Sequence, residues 1–531
     1  MYIRPDSNIK IYSGVPLDNS YENTLWFDSI SDQNSYFHGN YNILKHTLTA
    51  QSYQRVVKGT MRVQIPAEDL YDCNYLAFQN EGFGYKWFYA FILSVEYINN
   101  ETSEITFEID IMQTYLFDVR IRESFVEREH SSTDEIGDNL VEENLELGDY
   151  VIDSSDFLGL TNYKIVVLTA ETYSEVPPDP DNPFAPFGPT WSAAPITNVG
   201  GILQCAQYFV FNSDTDGINQ LQSLINTFNK KPDEIIGVFL MPEQFTESIG
   251  KSTPHSITKT VSKNYGSFDY YTPRNNKLYT YPYNFLYVTN MQGNSGVFPY
   301  EYFSEDVCRF EALCIATANA EIALFPRNYK GLSFNRDEYM ILKGFPQCAY
   351  NVDAFKAWLA QNTGSIAGSL LATAVGGIIG VGLGGAALPA LAGETIASGA
   401  LLGSGVSVFN TLAKIRDKSV QPIQTKGNDT GSVLAGDRQL DFYFYNKRIR
   451  GEFARIIDDY FDVYGYATHK VKIPNRCVRQ RWTYTKTVGC NAIGECPADD
   501  IKRIKQIYDK GITFWVNPSE VGNYSLSNNP L

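Results

Sequence analysis

The sequence is short of the residues on which catalytic and metal sites usually depend. Five histidines (His38, His46, His130, His255, His469) occur in 531 residues, none in an H-E-x-x-H pattern, which removes the zinc-hydrolase signature. The eight cysteines (Cys73, Cys205, Cys308, Cys314, Cys348, Cys477, Cys490, Cys496) form no C-x-x-C pair, so a zinc or dithiol centre lacks its ligands and buried thiols are expected. No G-x-x-x-x-G-K-[ST] run is present to cradle a phosphate. Gly380, Gly382 and Gly385 do match G-x-G-x-x-G, but that fingerprint needs an acid about 20 residues on, and residues 400–408 hold none. No Ser, His and Asp constellation stands out, and with 60 acids two carboxylates can fall at glycosidase separation by chance. Sequence therefore assigns no catalytic residue, no metal ligand and no cofactor. Positive charge is scarce as well: 43 Lys and Arg against 60 Asp and Glu leave −17, which argues against tight binding to nucleic acid through its phosphates. The polar stretch Tyr2–Lys10 after Met1 lacks the apolar core of a signal peptide, so synthesis in a cytoplasm is expected.

The largest deficit is local. Between Lys356 and Lys414 the only ionisable side chain is Glu394, and residues 357–393 carry no charge at all. That run exceeds the roughly 20 apolar residues a helix needs to cross a bilayer, so one span or a hairpin of two fits. Gly364 and Gly368, Gly376 and Gly380, Gly380 and Gly384, and Gly399 and Gly403 repeat the four-residue spacing that lets membrane helices touch backbone to backbone. Gly384, Gly385 and Pro389 offer places to turn. Such glycine content disfavours a stable helix in water, so the stretch suits a change of state. A buried hairpin inside a soluble core is the competing explanation.

What is abundant points to sheet. Aromatics make up 14% of the chain, with 36 Tyr and 32 Phe, a bias toward strands and subunit interfaces. Met61–Ile65, Asn74–Phe78 and Trp87–Ile98 read as strands, the last turned by Asn99 and Asn100. Ile105, Phe107, Ile109 and Ile111 alternate with Thr106, Glu108, Asp110 and Met112, the period of a half-buried antiparallel strand. Residues 131–163 hold nine acids and no base and read as a solvated connector, while Ile136, Leu140, Val141, Leu145 and Leu147 suggest that it lies along a neighbour. Tyr163–Thr169, Tyr208–Phe211 and Ile235–Leu240 read as strands around six prolines between Pro177 and Pro189 and a helix over Gly217–Lys230. Further strands are expected at Lys277–Tyr281, Phe285–Asn290, Leu440–Tyr445, Thr468–Ile473 and Arg481–Lys486. Amphipathic helices are expected over Glu452–Tyr464 and from Pro497 to Gly511. Ahead of the apolar stretch, Asn351 can cap a short helix whose Phe355, Trp358 and Leu359 anchor the loop base.

Several of these segments resemble tail knob, or distal tail tube, proteins of small short-tailed bacteriophages. The resemblance is carried by VQIPAEDLYDCNYLAFQN at Val63, FEIDIMQTYLFDV at Phe107, SFVEREH at Ser124 and EENLELGDY at Glu142. It continues through PRNNKLYTYPYNFLYV at Pro273, FPQCAYNVDAFKAWL at Phe345 and IIDDYFDVYGY at Ile456, in collinear order along nearly the whole chain. It implies a homo-hexameric tube at the tail tip, in contact with other tail proteins and wide enough for double-stranded DNA to pass without specific binding. It also implies a hydrophobic loop, matched here by residues 362–412, that plugs the lumen before infection and then enters the host cytoplasmic membrane as a channel. The membrane-active positions run through Ser365, Ile366, Leu370, Leu371, Val375, Ile378, Ile379, Val381, Leu383, Leu388, Leu391, Ile396, Leu401, Leu402, Val406 and Val408, with Glu394 a candidate pH sensor.

The fold expected is α+β and predominantly β: antiparallel, barrel-like tube domains with short helices and a long apolar membrane-active loop. Its parts are an N-terminal tube domain (1–175), a second tube or knob domain (176–350), the membrane-penetrating loop (351–425) and a C-terminal α+β segment (426–531). The expected location is the virion tail tip, and the host membrane during infection. A tail-associated cell-wall hydrolase and a receptor-binding adhesin are the alternatives.

Overall fold

The computed structural model describes residues 6–51, 59–160, 162–169, 192–195, 207–212, 216–217, 220, 235–248, 255–314, 321–333, 335, 337–343, 347–349 and 440–531. Two compact units emerge. The first combines Met1–Asp149, Gly266–Tyr283 and Ile449–Leu531; the second combines Tyr150–Tyr265 and Asn284–Arg448.

In chain order the first unit opens with β1 (Ser7–Ser13), β2 (Asn23–Leu25), α1 (Ile30–Gly39), β3 (Leu44–Gln51), β4 (Thr60–Val63) and β5 (Cys73–Asn80). It continues through β6 (Phe88–Asn99), β7 (Thr102–Ile109), α2 (Ile111–Thr114), β8 (Val119–Ile121) and β9 (Ser124–Glu129). The second unit holds β10 (Tyr150–Phe157), β11 (Tyr163–Thr169), β12 (Ser192–Pro195), β13 (Gln207–Phe211), β14 (Ile235–Pro242) and β15 (His255–Ser262). After the excursion through 266–283 come β16 (Asn284–Thr289), β17 (Ser295–Phe298), β18 (Val307–Cys314), β19 (Ile322–Arg327), β20 (Met340–Leu342), β21 (Gln347–Ala349) and β22 (Tyr443–Ile449). The chain then returns to the first unit as α3 (Gly451–Tyr464), β23 (Tyr466–Lys472), β24 (Trp482–Val488), β25 (Ala492–Gly494), α4 (Ala498–Lys510) and β26 (Ile512–Trp515).

The first unit is built on a curled six-stranded antiparallel sheet, β3-β1-β5-β6-β7-β4, and a five-stranded sheet, β2-β26-β24-β9-β23. One face of the six-stranded sheet buries Ile9, Ile11, Met61, Leu76, Ile105 and Phe107. The other buries Tyr12, Tyr75, Tyr89 and Phe91 against Phe37 of α1, Ile504 and Tyr508 of α4, and Trp482, Phe514 and Trp515 of the second sheet. Trp482 and Trp515 stand in register with ring centroids 5.0 Å apart, so the ends of the chain close one aromatic core. The second unit contains the sheets β10-β22-β16-β17, β12-β13-β11-β14-β21 and β15-β18-β19-β20. Except for the parallel β2–β26 pair, the described ladders are antiparallel.

Periodic segments fold as their spacing predicts. α3 turns Ala454, Ile457, Asp458 and Phe461 inward and stops at Gly465, whose φ is +64° and whose N–H donates to the Phe461 carbonyl (2.8 Å). A Cβ there would collide with the Glu129 carbonyl, so glycine is required twice over. α4 carries Asp499 and Asp500 in its first turn, buries Ile504 and Tyr508, and ends before Gly511 at φ +102°.

Three expectations are corrected. β7 ends at Ile109: the buried Asp110 accepts from the N–H groups of Met112 (3.0 Å) and Gln113 (3.1 Å), which starts α2 and moves Ile111 and Met112 out of the alternation. Asn276–Tyr279 is a 3₁₀ turn where a strand over Lys277–Tyr281 was expected. The acidic stretch is not solvated throughout, since Glu143 is buried, and Tyr150–Phe157 within it forms a strand. The helix expected over Gly217–Lys230 and the proline-rich loop lie almost wholly outside the described residues.

Candidate functional site

The loop-base residues Phe355, Trp358 and Leu359, the membrane-active positions from Ser365 to Val408, and Glu394 all lie outside the described residues. Among those described, no helix is long and apolar enough to cross a membrane. The two roots of the segment are described. On the entrance side β21 pairs with β14, placing Phe239 opposite Gln347 and Gly237 opposite Ala349. On the exit side Leu440, Phe442 and Phe444 are buried, and Phe444 packs on Phe310 with ring centroids 5.2 Å apart.

Asp441 fixes this exit. Its Oδ2 accepts from the N–H groups of Gly159 and Leu160 (2.9 Å each), and its Oδ1 accepts from its neighbour Phe442 (2.7 Å). The Leu158 N–H donates to the Phe442 carbonyl (3.0 Å), closing the turn after β10 onto the chain that leads into β22. Burial pushes the Asp441 carboxyl up to about 6 although these N–H groups favour its ionised form. Sequence reading passed over Asp441 as one position of an alternating strand. An acid at a strand's start, where Asp is disfavoured, was the available signal.

The first unit contains the richest polar cluster. Glu143 Oε1 accepts from Lys277 Nζ (2.5 Å) and the Ala467 N–H (3.0 Å), while its Oε2 pairs with Arg128. Lys277 Nζ also donates to the Val141 carbonyl (2.8 Å), and burial lowers its basicity against the opposing pull of Glu143. Asp458 of α3 is fully buried and accepts from Tyr271 Oη (2.6 Å), the Arg274 N–H (2.6 Å) and the Asn275 N–H (3.0 Å). Asp134 accepts from Tyr466 Oη (2.5 Å) and the Asn276 N–H (3.2 Å). Each carboxylate is occupied by donors from a different stretch of chain. The cluster therefore fastens the acidic connector, the 271–277 turn, α3 and β23 together, and a buried pair of this kind costs about 3–5 kcal/mol when one partner is removed.

Among the described residues Cys73, Cys308, Cys314 and Cys490 are buried while Cys477 and Cys496 are half-buried, and burial pushes the thiols of Cys73, Cys308 and Cys314 up to about 12. No group of three or more His, Cys, Asp or Glu side chains among the described residues could hold a metal ion.

These antiparallel sheets and fastened connectors describe a scaffold, and the comparisons name its class. Residues 5–120 match the Caudoviral major tail protein N-terminus, so the first part of the chain is similar to phage tail proteins. More particularly, residues 247–529, over half of its length, match the C-terminal domain model of the Bacillus phage phi29 tail knob protein gp9, and the chain belongs to that family. It is 24% identical to tail knob protein gp9 of Bacillus phage phi29, 24% to that of phage B103 and 26% to that of phage PZA, each over 98% of both chains. The solved structure of the bacteriophage C1 tail knob protein gp12 superposes with a TM-score of 0.60 at 14% identity, over 99% of this chain and 100% of that one. The relatives are structural tail knob proteins and not enzymes, and this chain is a structural component of the virion tail.

Proposed function

We propose that the protein forms the distal tip of the tail tube as a homo-hexamer, in contact with other tail proteins. Six copies of residues 362–412 occlude the lumen before infection and then insert in the host cytoplasmic membrane as a channel for the genome. The observation that carries this reading is the uncharged run 357–393 inside a chain of a tail knob family. One such run cannot enclose a pore, whereas six can. The same apolar surface would aggregate virions unless hidden, and packing six segments into one lumen hides it. The four-part division into tube domain, second tube or knob domain, loop and C-terminal segment belongs to this proposal. Excess acid suits a lumen through which double-stranded DNA slides without specific binding.

Deleting Thr363–Thr411 and closing the gap with a short Gly/Ser linker tests it. Assembly, followed by negative-stain imaging, should persist, while leakage from liposomes should be lost. Loss of assembly would mark the stretch as a core hairpin and end the membrane reading.

A further inference from the structure

Both roots of the apolar segment rest on one corner of the second unit. β10 and β11 are consecutive strands that belong to different sheets, joined by the turn at residues 158–162. β22, the strand that follows the segment, is hydrogen-bonded to β10. β21, which precedes the segment, is an edge strand of three residues held by β14, and β14 in turn pairs with β11, placing Pro242 opposite Tyr163 beside the turn. The exit strand is thus seated on one arm of the corner and the entrance strand, through β14, on the other.

The turn is bonded to both sides. Toward the exit, the Leu158 N–H donates to the Phe442 carbonyl (3.0 Å), and the Gly159 and Leu160 N–H groups donate to Asp441 Oδ2 (2.9 Å each). Toward the entrance, Gln244 Nε2 donates to the Gly159 carbonyl (2.7 Å) and the Glu243 N–H to the Asn162 carbonyl (2.8 Å), while Glu243 also pairs with Lys164 at the start of β11 (3.1 Å). Met241 and Phe245 are buried on either side of this pair, which fixes where the Gln244 amide reaches. Gly159 is the residue shared by both sets: its N–H faces the exit and its carbonyl the entrance. Its φ of +99° favours glycine, and a Cβ added there would meet nothing within 4 Å.

We propose that the Gly159 turn couples the two roots, so that the entrance strand β21 and the exit at Asp441 and Phe442 loosen together and not one at a time. A rotation of the turn that breaks the Asp441 contacts also swings the Gly159 carbonyl away from Gln244 and disturbs the β11 end on which β14 is aligned. Leu160 and Asp441 are buried, so breaking one set of bonds inside a closed corner leaves groups unpaired at their full desolvation cost. A corner that is either closed or open is favoured over one half broken, and local opening of this kind proceeds in cooperative units. The coupling is a property of the described strands and holds whatever the segment between them does.

Amide hydrogen exchange, read by mass spectrometry on the full-length chain, tests it. Asp441→Ala removes the exit contacts, Gln244→Ala the main entrance contact, and Gly159→Ala strains the shared residue without a clash. Asp441→Ala should speed exchange at β21 and the facing part of β14, as well as in the turn itself, by about tenfold. Gln244→Ala, the milder change, should speed exchange on the far side, at Leu158, Leu160 and Phe442, and Gly159→Ala should do so on both sides. In the double variant Asp441→Ala with Gln244→Ala, the acceleration at β21 should fall short of the product of the two single effects, since either change already opens the corner. The β18–β19 ladder of the same unit should keep its wild-type rates throughout. Acceleration confined to the side that was altered, a double effect equal to the product, or acceleration that extends equally to β18 and β19 would each overturn the coupling.

Discussion

His130 sits where only an uncharged imidazole fits. Its Nδ1 accepts from the Tyr484 N–H (2.8 Å) and its Nε2 donates to the Asp462 carbonyl (3.1 Å), which assigns the tautomer. Burial, reinforced by Arg479, holds its pKa down at about 3. The folded protein thus stays neutral at this position while the unfolded chain takes up a proton as pH falls through the ordinary value near 6.5, so stability is lost with acid. At pH 5 the loss from this residue is about 2 kcal/mol. Asp110 and Asp441 act in the opposite sense: burial raises both to about 6, so the folded state protonates first and their contribution declines as pH rises from about 4 to about 6. His130→Gln should lower stability at pH 7 and flatten the acid dependence. Urea unfolding at pH 7 and pH 5 should show the gap between wild type and variant closing by about 2 kcal/mol; an unchanged gap would mean that the imidazole is not held neutral. None of this was legible in the sequence, because the partners of His130 lie over 330 residues away in the chain.

Elements were legible where the periodicity was long and continuous. The reading of β7 found its buried row, Ile105 and Phe107, because period-two burial is written in the residue types themselves. It overran into Ile111 because Asp110 acts as a cap, held by Tyr75 Oη (2.8 Å) from a strand 35 residues earlier. The alternation Lys277–Tyr281 imitates a strand, but Asp458 grips Asn275 through both its backbone N–H and its side chain and bends the chain into a 3₁₀ turn. Short strands such as β2, β8, β25 and β26 carry little pattern of their own, and distant partners decide them. The sharpest check of burial is within β7. Phe107→Asp places an unpaired charge in a core that packs Phe107 edge-on against Phe78 (5.8 Å), and should cost at least about 3 kcal/mol. Glu104→Gln, in the same strand, loses only a partly exposed ion pair to Arg62 (2.8 Å) and should cost at most about 1 kcal/mol. Equal urea midpoints for the two variants would show that burial does not order this strand.

For the whole molecule, sequence and fold report on different parts. The uncharged segment was visible at once, because absence of charge over residues 357–393 is a property of composition. Its roots were not, because Asp441 earns its place only through the turn at Gly159 and Leu160, far back in the chain. The chain belongs to a tail knob family and its sequence holds one long apolar segment, in which Glu394 is the single ionisable group. A carboxylate carried into hydrocarbon is costly, and its protonated form much less so. If Glu394 enters the bilayer, insertion strengthens as pH falls and weakens as pH rises, and one such group in each copy of the proposed hexamer makes the response steep. Liposome leakage by wild type and by Glu394→Gln, compared from about pH 4 to about pH 8 to bracket the carboxyl range, reads this directly. Wild type should leak more in acid, and the variant should leak with little dependence on pH. A pH-independent wild type would place Glu394 in water at the hairpin tip or in the pore, and a variant that keeps the full acid response would place the proton sensor elsewhere in the chain.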